Sequence, residues 1–394
     1  MTIKKILFLL SVFMSIVGTK ALAYDISVKN SDGVVIFYNY YNNGIELEVT
    51  YGSSARDSYY GVVNIPEEVT FMDRTRKVTS IGDHAFFYCD DLISVTMPNS
   101  IVNIGVQSFE GCEKLSAIKI PSSLKKIGRG AFQYCHGLEK VIVKDIAAWC
   151  NIDFGDDWLH AYSKHIYSDE STEITNLVIP QGVSEIKKLA FSHFYNVSSV
   201  SIPNSVTTIG GYSFTDSGIT SLNLPNSVIT IGESAFYSTL LTSLIIPNSV
   251  ITIESRAFSC CRYLKTVTIS NSVKTLGREV FDFTDLQTVV TMIKEPYEIY
   301  GKNEEYGNVF SLNTFNNATL YVPLGTISAY KTTEGWKDFL FIEEGLPTGI
   351  NNVGDNTIKE NKRYTIDGKI INSPQKGINI IQMENGTIQK RIIK

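Results

Sequence analysis

The stretch Leu222-Asn223-Leu224-Pro225-Asn226-Ser227-Val228-Ile229-Thr230-Ile231-Gly232-Glu233-Ser234-Ala235-Phe236 is one copy of a phrase that recurs along this chain. Its closing phenylalanine recurs mostly at gaps of 22 or 23 residues, with one gap of 59, at Phe86, Phe109, Phe132, Phe191, Phe214, Phe236, Phe258 and Phe281. A unit this short cannot bury its apolar face alone, so copies must stack on one another. The sequence therefore predicts a solenoid.

Each part of the phrase predicts a local structure. Residues 222–224 alternate apolar and polar side chains, which is the period of a strand, and Pro225 ends that strand. Asn and Ser then favour a turn, and we expect Gly232 to form a corner by adopting a backbone angle that other residues avoid. Ala235 and Phe236 are predicted to point inward from a short helical or 3-10 turn.

Stacking such units in register predicts a mainly β fold. We expect a solenoid of about eight coils of 22–23 residues, with parallel β ladders and internal columns of Phe, Ile, Val and Leu, plus a small C-terminal β unit. Repeats built from pairs of helices are excluded, because they need about 33–47 residues.

The charge balance excludes one class of partner. The chain has 35 basic and 40 acidic residues, for a net charge of −5, and no run of Lys and Arg dense enough to resemble a nucleic-acid-binding surface. A nucleic-acid-binding protein normally presents a dense basic surface. Nucleic acid is therefore not an expected partner.

The N-terminus has the pattern of a secretory signal peptide. Lys4 and Lys5 precede an apolar run over residues 6–17, and small residues lead to an expected cleavage after Ala23. The run of 12 residues is too short to span a bilayer, which takes about 20. We expect an exported chain without a transmembrane span.

The six cysteines follow the repeat. Four of them lie three residues after a repeat phenylalanine, at Cys89, Cys112, Cys135 and Cys261. This spacing favours small buried side chains stacked in a ladder, since free Cys behaves as a compact core residue. A disulfide between neighbouring coils, such as Cys112 to Cys135, stays open, because the expected separation of the coils suits a disulfide.

Two phrases support a family resemblance: Pro203-Asn204-Ser205-Val206-Thr207-Thr208-Ile209-Gly210, and Ala131-Phe132-Gln133-Tyr134-Cys135 with Leu138. With them, the chain resembles BspA-type leucine-rich-repeat proteins over roughly Val62 to Leu286. The resemblance implies a bacterial protein that is secreted or held at the outer cell surface. Some members of the family adhere to host matrix proteins or to other bacteria.

The same patterns divide the chain into segments. We expect a signal peptide (1–23), an N-terminal β cap (24–60), the solenoid (61–290) with an insert (145–177), a C-terminal cap (291–345), a linker (346–360) and a β module (361–394). The last segment resembles a short form of the C-terminal sorting module of the type IX secretion system. Whether so short a module still directs export stays open.

Two sets of residues are candidates for binding a partner. The insert is rich in aromatic and imidazole rings, at Trp149, Trp158, His160, Tyr162, His165 and Tyr167. They form a binding element or, alternatively, pack the insert against its neighbours. The second set is an outward strip of threonines, at Thr208, Thr230, Thr252 and Thr275, which offers a flat contact surface or simply suits a solvated strand.

No pattern of enzyme chemistry is present. The chain lacks nucleophile elbows, phosphate loops, zinc-binding helices and dinucleotide motifs, so no catalytic, cofactor or metal site is predicted. The favoured function is an exported, non-enzymatic recognition or adhesion scaffold. Its expected partner is an extracellular protein or glycan of the host or of neighbouring bacteria, and the chain is expected to be a monomer. A structural cell-envelope component without a ligand, and a glycan-processing accessory that uses the insert, remain alternatives.

Overall fold

The computed structural model describes residues 23–156, 165–302, 307–347, 360–365, 371, 373, 375–383 and 388–393. The predicted signal peptide lies outside this part, except for its last residue. The predicted mainly β solenoid is confirmed: successive coils stack through parallel strands, and helices are few.

One side of the stack, the long-strand side, consists of strands of three to five residues. These strands are Gly61–Asn64, Leu92–Thr96, Ala117–Ile120, Lys140–Val143, His165–Tyr167, Asn176–Val178, Ser199–Ser201, Ser221–Asn223, Ser243–Ile245, Thr266–Ile269, Thr288–Thr291, Thr319–Val322 and Phe341–Glu344. They form four separate sheets, and one interruption falls between His165–Tyr167 and Asn176–Val178.

A second side, the short-strand side, follows the corner of each coil, which is Pro-Asn-Ser at residues 98–100, 203–205, 225–227 and 247–249. Its two-residue strands are Asn103–Ile104, Lys126–Ile127, Asp153–Phe154, Glu185–Ile186, Thr208–Ile209, Thr230–Ile231, Thr252–Ile253 and Thr275–Leu276. The first of them pairs with the end of the longer strand Arg74–Ile81. The second residue of each strand is buried and the first points outward, as expected for strand alternation.

The third side, the turn side, contains the turns that carry the ladder phenylalanines, such as residues 211–216 and 255–260, and these are not the short helical turns that the sequence predicts. Tyr212, Asp216 and Arg256 lie there with φ of 58°, 53° and 60°, a left-handed region that such residues rarely occupy. Backbone bonds between coils hold them: Tyr212 N–H donates to Glu233 O at 2.7 Å, and Asp216 N–H donates to Tyr237 O at 2.9 Å. Stacking thus stabilises a backbone conformation that one repeat would not adopt alone.

The phenylalanines form the internal ladder. Neighbouring rings are stacked, with Phe86 and Phe109 4.8 Å apart and Phe236 and Phe258 5.4 Å apart between centroids. Phe310, which the repeat phrase does not reveal, stacks on Phe281 at 5.4 Å and extends the ladder. All of these rings are fully or almost fully buried.

The corner glycine has a different role from the expected one. Gly232 does not adopt a positive φ. A Cβ at this position would lie only 2.6 Å from the backbone nitrogen of Gly211 in the preceding coil. Glycine is therefore favoured by the close approach of two coils. In the next coil Glu254 occupies this position, and its carboxylate accepts the N–H of Glu233 at 2.9 Å.

The N-terminal end is covered by antiparallel strands, Ile26–Lys29, Val35–Tyr41 and Glu46–Thr50, with a 3-10 turn at Asn42–Gly44. The strand Glu46–Thr50 joins the stack by pairing in parallel with Arg74–Ile81, which itself forms a hairpin with Glu68–Phe71. Tyr59 closes this end of the core, because its ring lies 4.6 Å from that of Phe86.

The C-terminal end carries helices Leu312–Asn317 and Ile327–Tyr330 and a 3-10 turn at Trp336–Asp338. Trp336 and Phe339 are buried and lie 6.0 and 5.2 Å from the ring of Phe310. They close the phenylalanine ladder at this end. Beyond them, Glu360–Thr365, Gly377–Met383 and Ile388–Ile393 form a separate antiparallel sheet of three strands.

Candidate recognition surfaces

The first part of the predicted insert forms a coil of the stack. The helix Ile146–Cys150 begins after Asp145, whose carboxylate accepts the N–H of Ala148 at 2.9 Å. The strand Asp153–Phe154 then pairs in parallel with Lys126–Ile127. Residues 145–154 therefore belong to the core architecture and do not project from it.

Trp149 is a core residue, although the sequence made it a candidate for partner contact. Its side chain is 1% exposed, and its indole N–H donates to the carbonyl of Ala190 at 2.7 Å. The ring of Phe154 packs edge-on at 5.0 Å. Because no partner can reach it, Trp149 is removed from the candidate surface, and the packing alternative holds for this ring.

His165 and Tyr167 lie in a strand of the long-strand side, and the chain then turns back in a small hairpin closed by the bridge between Tyr167 and Glu173. His165 Nδ1 contacts the carboxylate of Glu173 across the hairpin. The ammonium of Lys140 lies 4.3 Å above the ring of Tyr167 and donates to the carbonyl of Glu170 at 2.7 Å. Both rings are half-buried and already engaged within the hairpin. Trp158, His160 and Tyr162 lie outside the described residues.

The threonine strip lies where the sequence predicts it. Thr208, Thr230, Thr252 and Thr275 are register partners in consecutive short strands, and Glu185 precedes them in the same column. The first three threonines are half-buried and Thr275 is exposed. Their hydroxyls and methyls form a regular outward row on the short-strand side.

A second exposed column runs beside the threonines. Its members directly precede them in sequence, at Ser184, Thr207, Ile229, Ile251 and Lys274, and all are exposed. Ile229 and Ile251 are 44% and 45% exposed and adjacent, since Ile251 N–H donates to Ile229 O at 2.9 Å. Sequence reasoning missed these isoleucines because they sit within an apolar run. The two columns together, over residues 184–185, 207–208, 229–230, 251–252 and 274–275, are called the threonine face below.

The turn side is also polar, but its charges pair with one another. Lys188 lies 2.7 Å from Asp156, whose hydrogen bond raises the pKa of the lysine. Tyr212 donates to Glu233 at 2.9 Å, and Arg256 pairs with Glu279. These contacts link neighbouring coils, so much of this side serves to hold the stack together.

A half-buried contact between an imidazole and a carboxylate on the turn side also joins two coils. His193 Nδ1 lies 3.2 Å from a carboxylate oxygen of Asp216. Burial alone raises the pKa of Asp216, but hydrogen bonds from His193 and Ser238 outweigh it and lower the pKa overall. The ionised carboxylate is therefore the form that the folded chain favours.

The cysteines are six free thiols, five of them buried, which confirms the ladder interpretation. The thiols of Cys112 and Cys135 donate to the carbonyls of Phe86 and Phe109, at 3.0 and 2.9 Å. Burial raises the pKa of Cys89 to about 11 and that of Cys150 to about 12. At neutral pH these groups are protonated core side chains.

Within the described ranges, no cluster of three or more His, Cys, Asp or Glu side chains could hold a metal ion. In the same part of the chain, no helix is long and apolar enough to cross a bilayer.

Stacked parallel coils, an internal phenylalanine ladder and a flat outer face define a repeat scaffold of the leucine-rich type. A family model described as a BspA type leucine rich repeat region, in six copies, matches residues 37–149 and 163–290. The chain belongs to this family.

Several solved bacterial structures are similar to this chain. A leucine-rich repeat protein from Bacteroides ovatus shares 22% identity over 82% of this chain and 77% of its own, with a TM-score of 0.47. A leucine rich cell surface protein from Faecalibacterium prausnitzii shares 21% identity over 82% and 96%, with a TM-score of 0.44. The pneumococcal vaccine antigen PcpA shares 17% over 82% and 100%, with a TM-score of 0.43. No curated protein sequence matches the chain.

Proposed function

We propose that this chain is an exported, non-enzymatic recognition scaffold that binds an extracellular macromolecule through the threonine face. The observation that carries the proposal is the row of half-exposed threonines beside the exposed Ile229 and Ile251. A face of this kind combines apolar contact area with hydroxyl groups that can form hydrogen bonds with a partner. The stacked short strands hold these groups at a regular spacing before binding, and this reduces the entropy lost on association.

The rest of the surface supports the same choice. Trp149 is buried, and the rings of His165 and Tyr167 are engaged by Glu173 and Lys140. The charges of the turn side largely satisfy one another. The threonine face, in contrast, presents uncharged side chains over three consecutive coils, with Glu185 and Lys274 only at its two ends.

Export is part of the proposal. The pattern of residues 1–23 and the family relationship support a secreted or surface-exposed location. The C-terminal sheet supports a role for residues 361–394 as a short sorting module. Digestion of intact cells with an external protease, followed by peptide mass spectrometry, tests this location. Release of solenoid peptides from intact cells is expected, whereas release only after the outer membrane is opened would contradict surface display.

Recognition itself is tested with the purified chain from Tyr24 to Lys394. We expect saturable binding to at least one member of a panel of matrix proteins, mucins and bacterial cells, including cells that display this chain. The absence of saturable binding to every member would contradict the proposal and favour a structural envelope component.

A further inference from the structure

The two ends of the threonine face carry opposite charges. Glu185 lies in its first coil and Lys274 in its last. The three coils between them present only threonine and isoleucine on this face, at residues 207–208, 229–230 and 251–252. Ile229, with 44% of its surface exposed, lies in the central coil. A face with opposite charges at its ends and an apolar centre is complementary to itself when one copy is reversed.

Two symmetric arrangements could bring two such faces together. If the coils of both copies run in the same direction, Glu185 faces Glu185 and Lys274 faces Lys274, and like charges repel. If the coils run in opposite directions, Glu185 of one copy lies against the coil that carries Lys274 of the other. Ile229 then packs against Ile229 of the second copy. The charges thus select the reversed arrangement, which is a two-fold interface in which one patch binds itself.

Two further charges, Lys187 and Glu254, border the face. Glu185 lies 2.6 Å from Lys187 in its own coil, and both side chains are 40% exposed, so water screens this pair. Glu254 borders the face near its other end. In the reversed arrangement the coil of Glu185 and Lys187 in one copy lies against the coil of Lys274 in the other, and Glu254 lies one coil further in. Glu185 then lies between two ammonium groups, that of its own Lys187 and that of Lys274 in the second copy, and Glu254 lies within one coil of Lys187.

We infer that the partner of the threonine face is a second copy of this chain with its coils reversed; this rests on the proposed function and specifies its partner. Five short strands form a small contact, and small interfaces are weak. The isolated chain is then mostly monomeric when dilute. Many copies on two neighbouring cell surfaces would pair through avidity. The reversed orientation points the C-terminal ends of the two copies in opposite directions, as contact between two cells requires.

Sedimentation velocity of the chain from Tyr24 to Lys394, over a wide concentration range, tests the inference. We expect a monomer–dimer equilibrium that Ile229→Lys weakens by about tenfold or more, because the two ammonium groups would meet at the centre. Ile245→Lys is the matched control, since Ile245 is 50% exposed but lies on the long-strand side. It should leave the equilibrium unchanged. Thermal melts check that both variants are folded.

A charge exchange tests the orientation. Glu185→Lys and Lys274→Glu should each weaken the dimer by several-fold at low salt, and the double variant should recover it, because the pair is restored with its signs reversed. A chain that stays monomeric at every concentration would overturn the inference. So would an equal loss of dimer affinity in Ile229→Lys and Ile245→Lys, or a double charge variant whose dimer affinity does not recover. A monomeric chain that binds another panel member through Ile229 would overturn this inference and leave the proposed function intact.

Discussion

The rings of Phe214 and Phe236 lie 5.3 Å apart and only 5° from parallel. This relationship repeats from coil to coil, with 5.4 Å and 3° between Phe236 and Phe258. Phe236 therefore packs against two rings, one in each neighbouring coil. The stack continues ring by ring from Phe191 to Phe310, so the loss of one ring in it should be felt by the coils on both sides.

Phe214→Ala is expected to destabilise the chain by about 3–5 kcal/mol, because it leaves a cavity between two stacked rings. Phe283→Ala is the matched control, since Phe283 lies two residues after a ladder ring but is 66% exposed. Urea unfolding followed by circular dichroism gives both values. A cost below about 1 kcal/mol for Phe214→Ala would contradict an internal ladder.

Removal of the whole segment 145–177 is expected to unfold much of the stack, because it deletes the coil that contains Trp149 and the strand Asp153–Phe154. Trp149→Ala alone should cost about 3–5 kcal/mol. In contrast, replacing the hairpin tip, residues 169–171, by two glycines should leave the melting temperature nearly unchanged. Equal losses from the tip and from Trp149 would show that residues 145–154 are not part of the core.

The thiols should be protected in the native state. Burial raises the pKa of Cys89 and of Cys261 to about 11, so little reactive thiolate is present at pH 8. We expect a disulfide reagent to react rapidly with no more than the half-buried Cys260, and with all six cysteines in denaturant. Rapid reaction of several thiols in the folded chain would contradict the buried ladder. Equal masses before and after reduction would check that Cys112 and Cys135 are not bridged.

The contact of Asp216 with His193 predicts a pH dependence. Because the pKa of Asp216 is lowered in the folded chain, its stabilising contribution is complete above the ordinary value of 3.8 and is lost as the pH falls through the folded value. Asp216→Asn should therefore reduce stability at pH 6 and flatten the loss of stability below about pH 4. Urea titrations at several pH values measure this. An unchanged acid profile in the variant would show that the pair does not stabilise the fold.

Much of the architecture follows from the repeat phrase, because one unit stacked on copies of itself has few solutions. The phrase predicts the register of Thr208, Thr230, Thr252 and Thr275, since their spacing equals the repeat length. It does not reveal the coil that contains Asp153 and Phe154, because a helix replaces the Pro-Asn-Ser corner there. Gly155 after Phe154, which repeats the step from Ile231 to Gly232, is the signal that could have found it.

Other features were hidden because they depend on contacts between coils. The positive φ of Tyr212 and Arg256 is unfavourable within one repeat and is held only by backbone bonds to the next. The burial of Trp149 depends on Ala190, which lies 41 residues later in the chain. Ile229 and Ile251 are exposed, although strand alternation alone would place them inward with Ile231 and Ile253.

Recognition through the threonine face is tested by comparing two sides of the same stack. Thr230→Lys with Thr252→Lys alters the threonine face, and Ser221→Lys with Ser243→Lys adds the same charge to exposed positions of the long-strand side. Binding of each double variant to the member of the panel that the parent chain binds is measured by titration. We expect a loss of affinity of about tenfold or more for the threonine pair and little change for the serine pair. Equal affinities for the two variants would contradict recognition through the threonine face.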